Sequence, residues 1–549
     1  MGRAIIHNPV LTGFHPDPCI CKAQGKYYMI TSTFEWFPGV SLYESDDLVT
    51  WTPKGGILDK IDLRGIPDSG GIWAPALSYD NGTFYLVYTI SRQIDGYFKD
   101  VKNYVVTAPS IEGPWSQPMF INASGFDPSM FHEDGRHYVL NPQWDPRPLP
   151  GHKKFNGLIL QEFHMEKGLV GPWKLVFQGS GTNVTEGPHL MKKDGYYYMI
   201  AAEGGTGVLH SICVARSRNL WGPYEISPYH PLITSWEQDT PLKKSGHGNF
   251  VETDRGEWYM THLCSRYLDN VQASVLGREA AMQKLEWING WPRMVQKTCV
   301  PALWVEGPKG TGDQTDSGGQ KEAAESAGHG RRDEGKVGYW TDFSRGTDLA
   351  REEWLSLRYC FQEKGELTEQ GLWLKGGDSL TSCFDQSLIA RRWTSFQFQA
   401  GTSLRFAPNH YNQTAGLVCY YNTKVFHYLY VGYDERKNRS MVNILTNDNF
   451  QFHEPLEGNY VYLPEDAGEI HLRVEVDQEE LRFYYGVDQG DFQGIGPVLD
   501  ASILCDEHPL GWAYTGAVVG ITAVDNFNKD TKALFTEFYQ TDSPGLEKP

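Results

Sequence analysis

No run of eighteen consecutive apolar residues occurs in the 549-residue chain, so no membrane-spanning helix is expected. Positive charge is scarce as well. Lys and Arg number 49 against 68 Asp and Glu, a formal net charge of −19. That balance argues against nucleic acid and against an anionic membrane as partners, since both are polyanions, and it favours a neutral substrate. The nine cysteines are an odd number and show none of the paired spacings that hold zinc. They are read as reduced structural thiols. The opening stretch, MGRAIIHNPVLTGFHPDP, lacks the apolar core of a secretion signal. The C-terminal half shows no helical period of useful length.

Aromatic residues are what the chain has in abundance, with 17 Trp and 30 Tyr. Such residues fill β-sheet cores and also stack on sugar rings. Five copies of one short pattern organise the first half: QGKYYMITS from Gln24, NGTFYLVYT from Asn81, DGRHYVLN from Asp134, DGYYYMIAA from Asp194 and RGEWYMTH from Arg255. Their glycines, Gly25, Gly82, Gly135, Gly195 and Gly256, are 57, 53, 60 and 61 residues apart. A regular period on this scale marks an array of supersecondary units. The glycine suits a hairpin turn and the aromatic, β-branched run suits a buried strand. A second marker follows most copies: DLVTWTP at Asp47, IEGPWSQP at Ile111, LVGPWKL at Leu169 and LWGPYEI at Leu220. The expectation is a five-bladed β-propeller.

Eight or nine residues before each glycine stand Asp17, Trp73, Asp127, Glu186 and His247. Equivalent positions on the innermost strands of successive blades converge on the propeller axis. Three carboxylates, an imidazole and an indole would then share one pocket. One acid to protonate a leaving oxygen, one base to activate water and an aromatic platform suit hydrolysis of a glycosidic bond. A single Asp-Pro, as in Asp17-Pro18, is usually a turn former. Three carboxylates at one offset of a repeat are not explained that way.

From Pro308 to Gly338 the chain has no aromatic residue and almost no large aliphatic one, so it cannot bury a core. The sequence therefore divides into a propeller at 1–307, a linker or surface loop at 308–338, and a second domain at 339–549. Alternating strands resume there, in FQFQAGTSLRF, AGLVCYYNTKVFHYLYVGY, IHLRVEV and GAVVGITAV, with turn signals between them. That pattern predicts an antiparallel β-sandwich, giving an all-β protein overall.

FHPDP, TSTFEWFPGV, IDLRGIPDSGGIWAP, GFDPSMFH, TEGPHL, AAEGGTG and LGREAAMQKLEW together resemble glycoside hydrolase family 43, and within it the β-xylosidases that carry a C-terminal sandwich. SLIARR, AGLVCYYNT and LDASIL extend the resemblance into the second half, and it spans nearly the whole chain except the linker. It implies a five-bladed propeller followed by a concanavalin-like jelly roll, and an inverting mechanism. Asp17 is implied as the general base, Glu186 as the general acid, and Asp127 as the carboxylate that orients the acid and raises its pKa. Phe34 and Trp73 are implied as walls against the sugar, and Arg278 and Thr206 as pocket residues. His247 lies where some relatives hold a cation. No cofactor is required on this reading, and a structural calcium is the metal to test. Relatives bring an aromatic from the sandwich over the pocket, and Phe527, in VDNFNKD, is taken for that role.

The chain departs from its relatives in Val208–Leu209, where an aromatic is usual, in the short stretch before LGRE, and in Ala280, where Thr is common. The first reading is an exo-acting enzyme that removes xylose from xylo-oligosaccharides. The alternatives are an α-L-arabinofuranosidase or bifunctional enzyme acting on arabinoxylan, and a non-catalytic carbohydrate-binding propeller. Five Asn-X-Ser/Thr sequons include Asn183, three residues from Glu186, where a glycan would block the pocket. This favours a cytoplasmic setting, the alternative being secretion after removal of a signal. The sequence leaves association into a homo-oligomer open.

Overall fold

In the computed structural model, residues 3–93, 95–150, 154–311 and 338–542 are described. Five sheets of four or more antiparallel strands follow one another along the first 300 residues. Their innermost strands are Cys19–Ala23, Gly71–Asp80, Ser129–Glu133, Thr185–Lys193 and Lys243–Gly246. These are the five blades of the propeller that the glycine period predicts.

The hairpin inside each blade explains that period. In four copies the two turn residues both adopt positive φ: Gln24 and Gly25, Asn81 and Gly82, Asp134 and Gly135, Asp194 and Gly195. This is the type I′ geometry, whose twist matches that of the flanking strands. The fifth copy differs, because a longer loop through Thr253 to Glu257 connects its strands and only Gly256 takes positive φ there.

A propeller ring must be closed, and the N-terminal segment does so. Strand Ile5–His7 pairs with Trp304–Glu306. The Asn8 amide donates to the carbonyls of Met282 and Ala302 and accepts from the Met282 N–H, which stitches the chain start onto the fifth blade.

The second half is a sandwich of two antiparallel sheets, each with eight strands of its own. One of these sheets gains a ninth strand from the propeller. Its outermost strand, Leu355–Leu357, pairs with Trp36–Phe37 of the first blade. Exposed sheet edges invite mispairing, and here propeller residues cover the edge. The contact is a shared core as well: Phe14, Phe34, Trp36 and Trp73 pack with Leu355, Leu357, Tyr420 and Val518.

Buried polar ties reinforce this contact. The Arg358 guanidinium, fully buried, donates to the Ile66 carbonyl, to Asp68 and to Gln386. Arg392 donates to the Phe14 carbonyl and to Ser41. Most of the predicted linker, residues 312–337, lies outside the described residues.

All nine cysteines are unpaired. Cys19 and Cys21, two apart on one strand, face the same core cluster. No helix among the described residues is long and apolar enough to cross a membrane.

Candidate active site

The mouths of the inner strands meet at a cavity of about 240 Å³. Its walls include Asp17, Phe34, Trp73, Asp127, Glu186, Thr206, His247 and Arg278. Eight of the nine residues singled out in the sequence are therefore together. The backbone helps to aim them. Asp17, Asp127 and His247 all have positive φ, at 54°, 48° and 45°. Asp tolerates this region better than most residues, and strained backbone of this kind collects at functional sites.

Asp17 is held as a carboxylate. One oxygen accepts from Arg278 Nη1 at 2.9 Å, the other from the Ser32 hydroxyl at 2.7 Å. Burial opposes ionisation, but the Arg278 charge, His247 and the Ser32 hydrogen bond outweigh it. The Asp17 pKa consequently lies below the ordinary carboxylate value. Ser32 is itself fixed, since its oxygen accepts from the Ala74 N–H at 2.8 Å.

Glu186 has the opposite environment. Burial pushes its pKa up to about 7, and the Asp17 charge adds to this, while Arg278 and Lys99 work the other way. Asp127 is also raised well above the ordinary value, by burial first and then by the charges of Glu186 and Asp17. It accepts from the Gly187 N–H at 3.2 Å, next in the chain to Glu186. Two buried carboxyls in one site disfavour double ionisation, so a proton is retained between Asp127 and Glu186 near neutral pH. Asp127 is anchored from behind, where its N–H donates to Thr89 Oγ1 and that hydroxyl donates to Asn103.

Arg278 connects the two domains at the site. Nη1 also donates to Thr206 Oγ1 at 3.0 Å, and Nη2 donates to the Tyr514 carbonyl at 3.0 Å. Its guanidinium lies against the rings of Phe34 and Tyr514. Gly277, at φ 70°, allows this approach: a Cβ there would stand 2.1 Å from the Thr515 carbonyl oxygen.

Phe527 is not part of the site. It is 55% exposed and stacks on His410, at 3.9 Å between ring centroids. The aromatic residues that the sandwich brings to the cavity are Trp512 and Tyr514. Tyr514 stands 6.3 Å from Phe34 and 6.4 Å from Trp73, and its N–H donates to Ser69. No local pattern in GWAYTGA points to a partner far away in the first blade, so the expectation falls on the wrong loop. Lys99, Phe126 and Phe155 also line the cavity unforeseen. Phe126 could have been found, since it precedes Asp127 in the same motif. Val208 and Leu209, where relatives often carry an aromatic, are each 52% exposed and do not line the cavity.

His247 and His210 line the cavity and His189 lies near His247; all three are held below the ordinary imidazole pKa by burial, the last two at about 3. The nearby carboxylate, Asp17, has both oxygens engaged. The side chains here thus supply nitrogens, whereas calcium takes six to eight oxygens. They do not by themselves fit a calcium ion.

Comparison with known proteins places this geometry. The profile "Glycosyl hydrolases family 43" matches residues 6–292, and "Beta xylosidase C-terminal Concanavalin A-like domain" matches residues 341–540. The chain is 39% identical to a "Beta-xylosidase" of Bacillus subtilis, covering 97% of this chain and 99% of that one. It is 41% identical to "Xylosidase/arabinosidase 43B" of Humicola insolens, over 97% of each. The crystal structure of a xylan beta-1,4-xylosidase from Bacillus halodurans superposes with a TM-score of 0.89 at 39% identity, covering 98% of this chain and all of that one.

Proposed function

This chain belongs to glycosyl hydrolase family 43 and is an inverting glycosidase acting on a xylan-type carbohydrate; from that premise we propose that it is an exo-acting β-xylosidase that releases xylose from the non-reducing ends of xylo-oligosaccharides. The observation that carries the reading is the opposed state of two carboxyls in one cavity. Asp17 is kept ionised by Arg278, while Glu186 keeps a proton up to about pH 7.

In this mechanism Asp17 takes a proton from water as the water oxygen attacks the anomeric carbon. The bond from that carbon to the glycosidic oxygen breaks, and Glu186 delivers its proton to the departing oxygen. The configuration at the anomeric carbon inverts. Asp127 orients Glu186 through the Gly187 N–H, and burial with the Asp17 charge keeps Glu186 protonated. Trp73, Phe34 and Tyr514 enclose the sugar, and Arg278, which lines the same cavity, holds the Asp17 carboxylate in place.

Exo action follows from size and walls. The cavity of about 240 Å³ falls below the roughly 300–1,000 Å³ of most ligand pockets, and both domains line it. That leaves room for one terminal sugar. The sandwich therefore acts as part of the pocket rim.

The test is product analysis by NMR on xylobiose and on arabinosylated xylan. Rapid release of α-xylose from xylobiose is expected. Release of arabinose alone would assign the arabinofuranosidase activity instead, and β-xylose as the first product would overturn the inverting mechanism.

A further inference from the structure

At the far ends of the inner strands, three metal-binding side chains meet between two blades. Asp80 is the last residue of the strand Gly71–Asp80, whose Trp73 end faces the cavity. His132 lies on the neighbouring inner strand, Ser129–Glu133, and His137 stands directly opposite it on Arg136–Trp144. One ligand atom of each residue lies within 4.8 Å of the others. All three are partly exposed, so an ion can reach them. The seven-residue step from Trp73 to Asp80 spans roughly 23 Å of strand, which separates this group from the catalytic cavity.

We propose that Asp80, His132 and His137 form a binding site for zinc or a similar late first-row divalent ion at the seam of the second and third blades. The donor set supports this, because two imidazoles and one carboxylate suit zinc with water as fourth ligand, and suit neither calcium nor magnesium. The arrangement is also prepared in advance. His132 Nε2 is hydrogen-bonded to the Ser78 hydroxyl at 2.8 Å, which leaves Nδ1 for the ion. Such an outer hydrogen bond fixes the ring and strengthens the ligand.

His132 Nδ1 and His137 Nδ1 lie 2.7 Å apart and share one proton. Two nitrogens on a tetrahedral zinc, each at about 2.0–2.1 Å, stand roughly 3.4 Å apart. The rings need to part by less than about 1 Å, and the proton between them shifts to the outer nitrogen of its own ring, so that both histidines ligate as neutral imidazoles. Tyr85 packs against both imidazoles, at 4.7 and 5.0 Å between centroids, and limits other ring positions. Since Asp80 comes from one blade and the two histidines from the next, the ion would tie adjacent blades together.

Among the described residues one other trio of this kind exists, Glu203, Cys213 and His230. There Glu203 already accepts from the Ser180 N–H, the Ser180 hydroxyl and Thr185, and Cys213 is buried, so that trio serves as a control.

The experiment titrates chelator-treated full-length protein with zinc chloride by calorimetry and follows cobalt(II) by its visible absorption. One saturable site, tetrahedral cobalt bands and a higher thermal midpoint with zinc are expected, with no response to calcium chloride. Replacing His132→Gln and His137→Gln together should weaken zinc binding at least about a hundredfold and remove the cobalt bands, while xylobiose cleavage is unchanged. Ser78→Ala should weaken binding roughly tenfold to a hundredfold, and His230→Gln should leave it unaltered. Should the double variant fail to fold, Asp80→Asn carries the test through the same titration. Zinc binding as tight in the ligand variants as in the wild type would overturn the site, as would no saturable binding up to about millimolar zinc.

Discussion

Replacing Glu186 by Gln removes the proton that the departing sugar requires and leaves the shape of the cavity nearly unchanged. On xylobiose the leaving group is a poor alkoxide, so the whole contribution of general acid catalysis is lost. That contribution is typically 10²–10⁴-fold, or about 3–5 kcal/mol of transition-state stabilisation. An activated aryl xyloside departs with little help, and kcat on it should fall by roughly tenfold or less.

The pH profile gives an independent readout. With a pKa of about 7, Glu186 is about nine-tenths protonated one unit below that value and only about one-tenth protonated one unit above it. The wild-type kcat/KM should therefore decline on the alkaline side through about pH 7. The acid limb should lie below the ordinary carboxylate range, because Asp17 must be ionised and Arg278 holds its pKa down. In Glu186→Gln the alkaline limb should vanish and the acid limb remain. The assay is steady-state kinetics on both substrates from about pH 2.5 to 9. Equal losses on both substrates, or an alkaline limb that survives the substitution, would refute the assignment of Glu186 as the acid.

Three further outcomes are expected. Gly277→Ala should clash with the Thr515 carbonyl and displace Arg278, lowering kcat/KM by about 10²-fold and the thermal midpoint by several degrees; a fully active variant would show that the Arg278–Tyr514 contact is dispensable. Tyr514→Ala should raise KM for xylobiose about tenfold through the lost ring surface, whereas Phe527→Ala should leave kinetics unchanged, and the reverse pattern would restore Phe527 to the site. Glu35 is buried between the domains beside Arg358 and Asp68, and burial above all raises its pKa to about 8. The folded state therefore binds this proton more tightly than the unfolded state, so its stabilising effect is full below about pH 4.5 and is lost as pH rises through about 8. Glu35→Gln should flatten that decline by up to a few kcal/mol at about pH 9, as urea unfolding at acid and alkaline pH will measure; parallel curves for both proteins would refute it.

Much of this protein was legible in its sequence because a propeller is a local object repeated. Each blade folds from about sixty contiguous residues, and the type I′ turn at Asn81–Gly82 or Asp194–Gly195 imposes a residue pair that can be recognised in isolation. The offset from turn to strand mouth is fixed by strand length, so Asp17, Trp73, Asp127, Glu186 and His247 could be placed around one axis by counting alone. Even the departure of the fifth hairpin did not disturb this, since its longer loop lies at the outer end of the strand.

Contacts without a local period were settled only by the tertiary structure. The Arg278–Tyr514 hydrogen bond joins residues 236 apart, the Tyr514–Ser69 bond residues 445 apart, and the Trp512–Asp95 bond residues 417 apart. No spacing in the chain encodes which of the sandwich loops meets the propeller, and so the sequence points to Phe527 where Trp512 and Tyr514 line the cavity. Nor does the sequence reveal that the edge strand Leu355–Leu357 is completed by Trp36–Phe37. Position on the axis follows from repetition along the chain. The rim of the pocket, the seam between blades and the union of the two domains follow from which surfaces are complementary once folded, and that is a property of packed side chains in three dimensions.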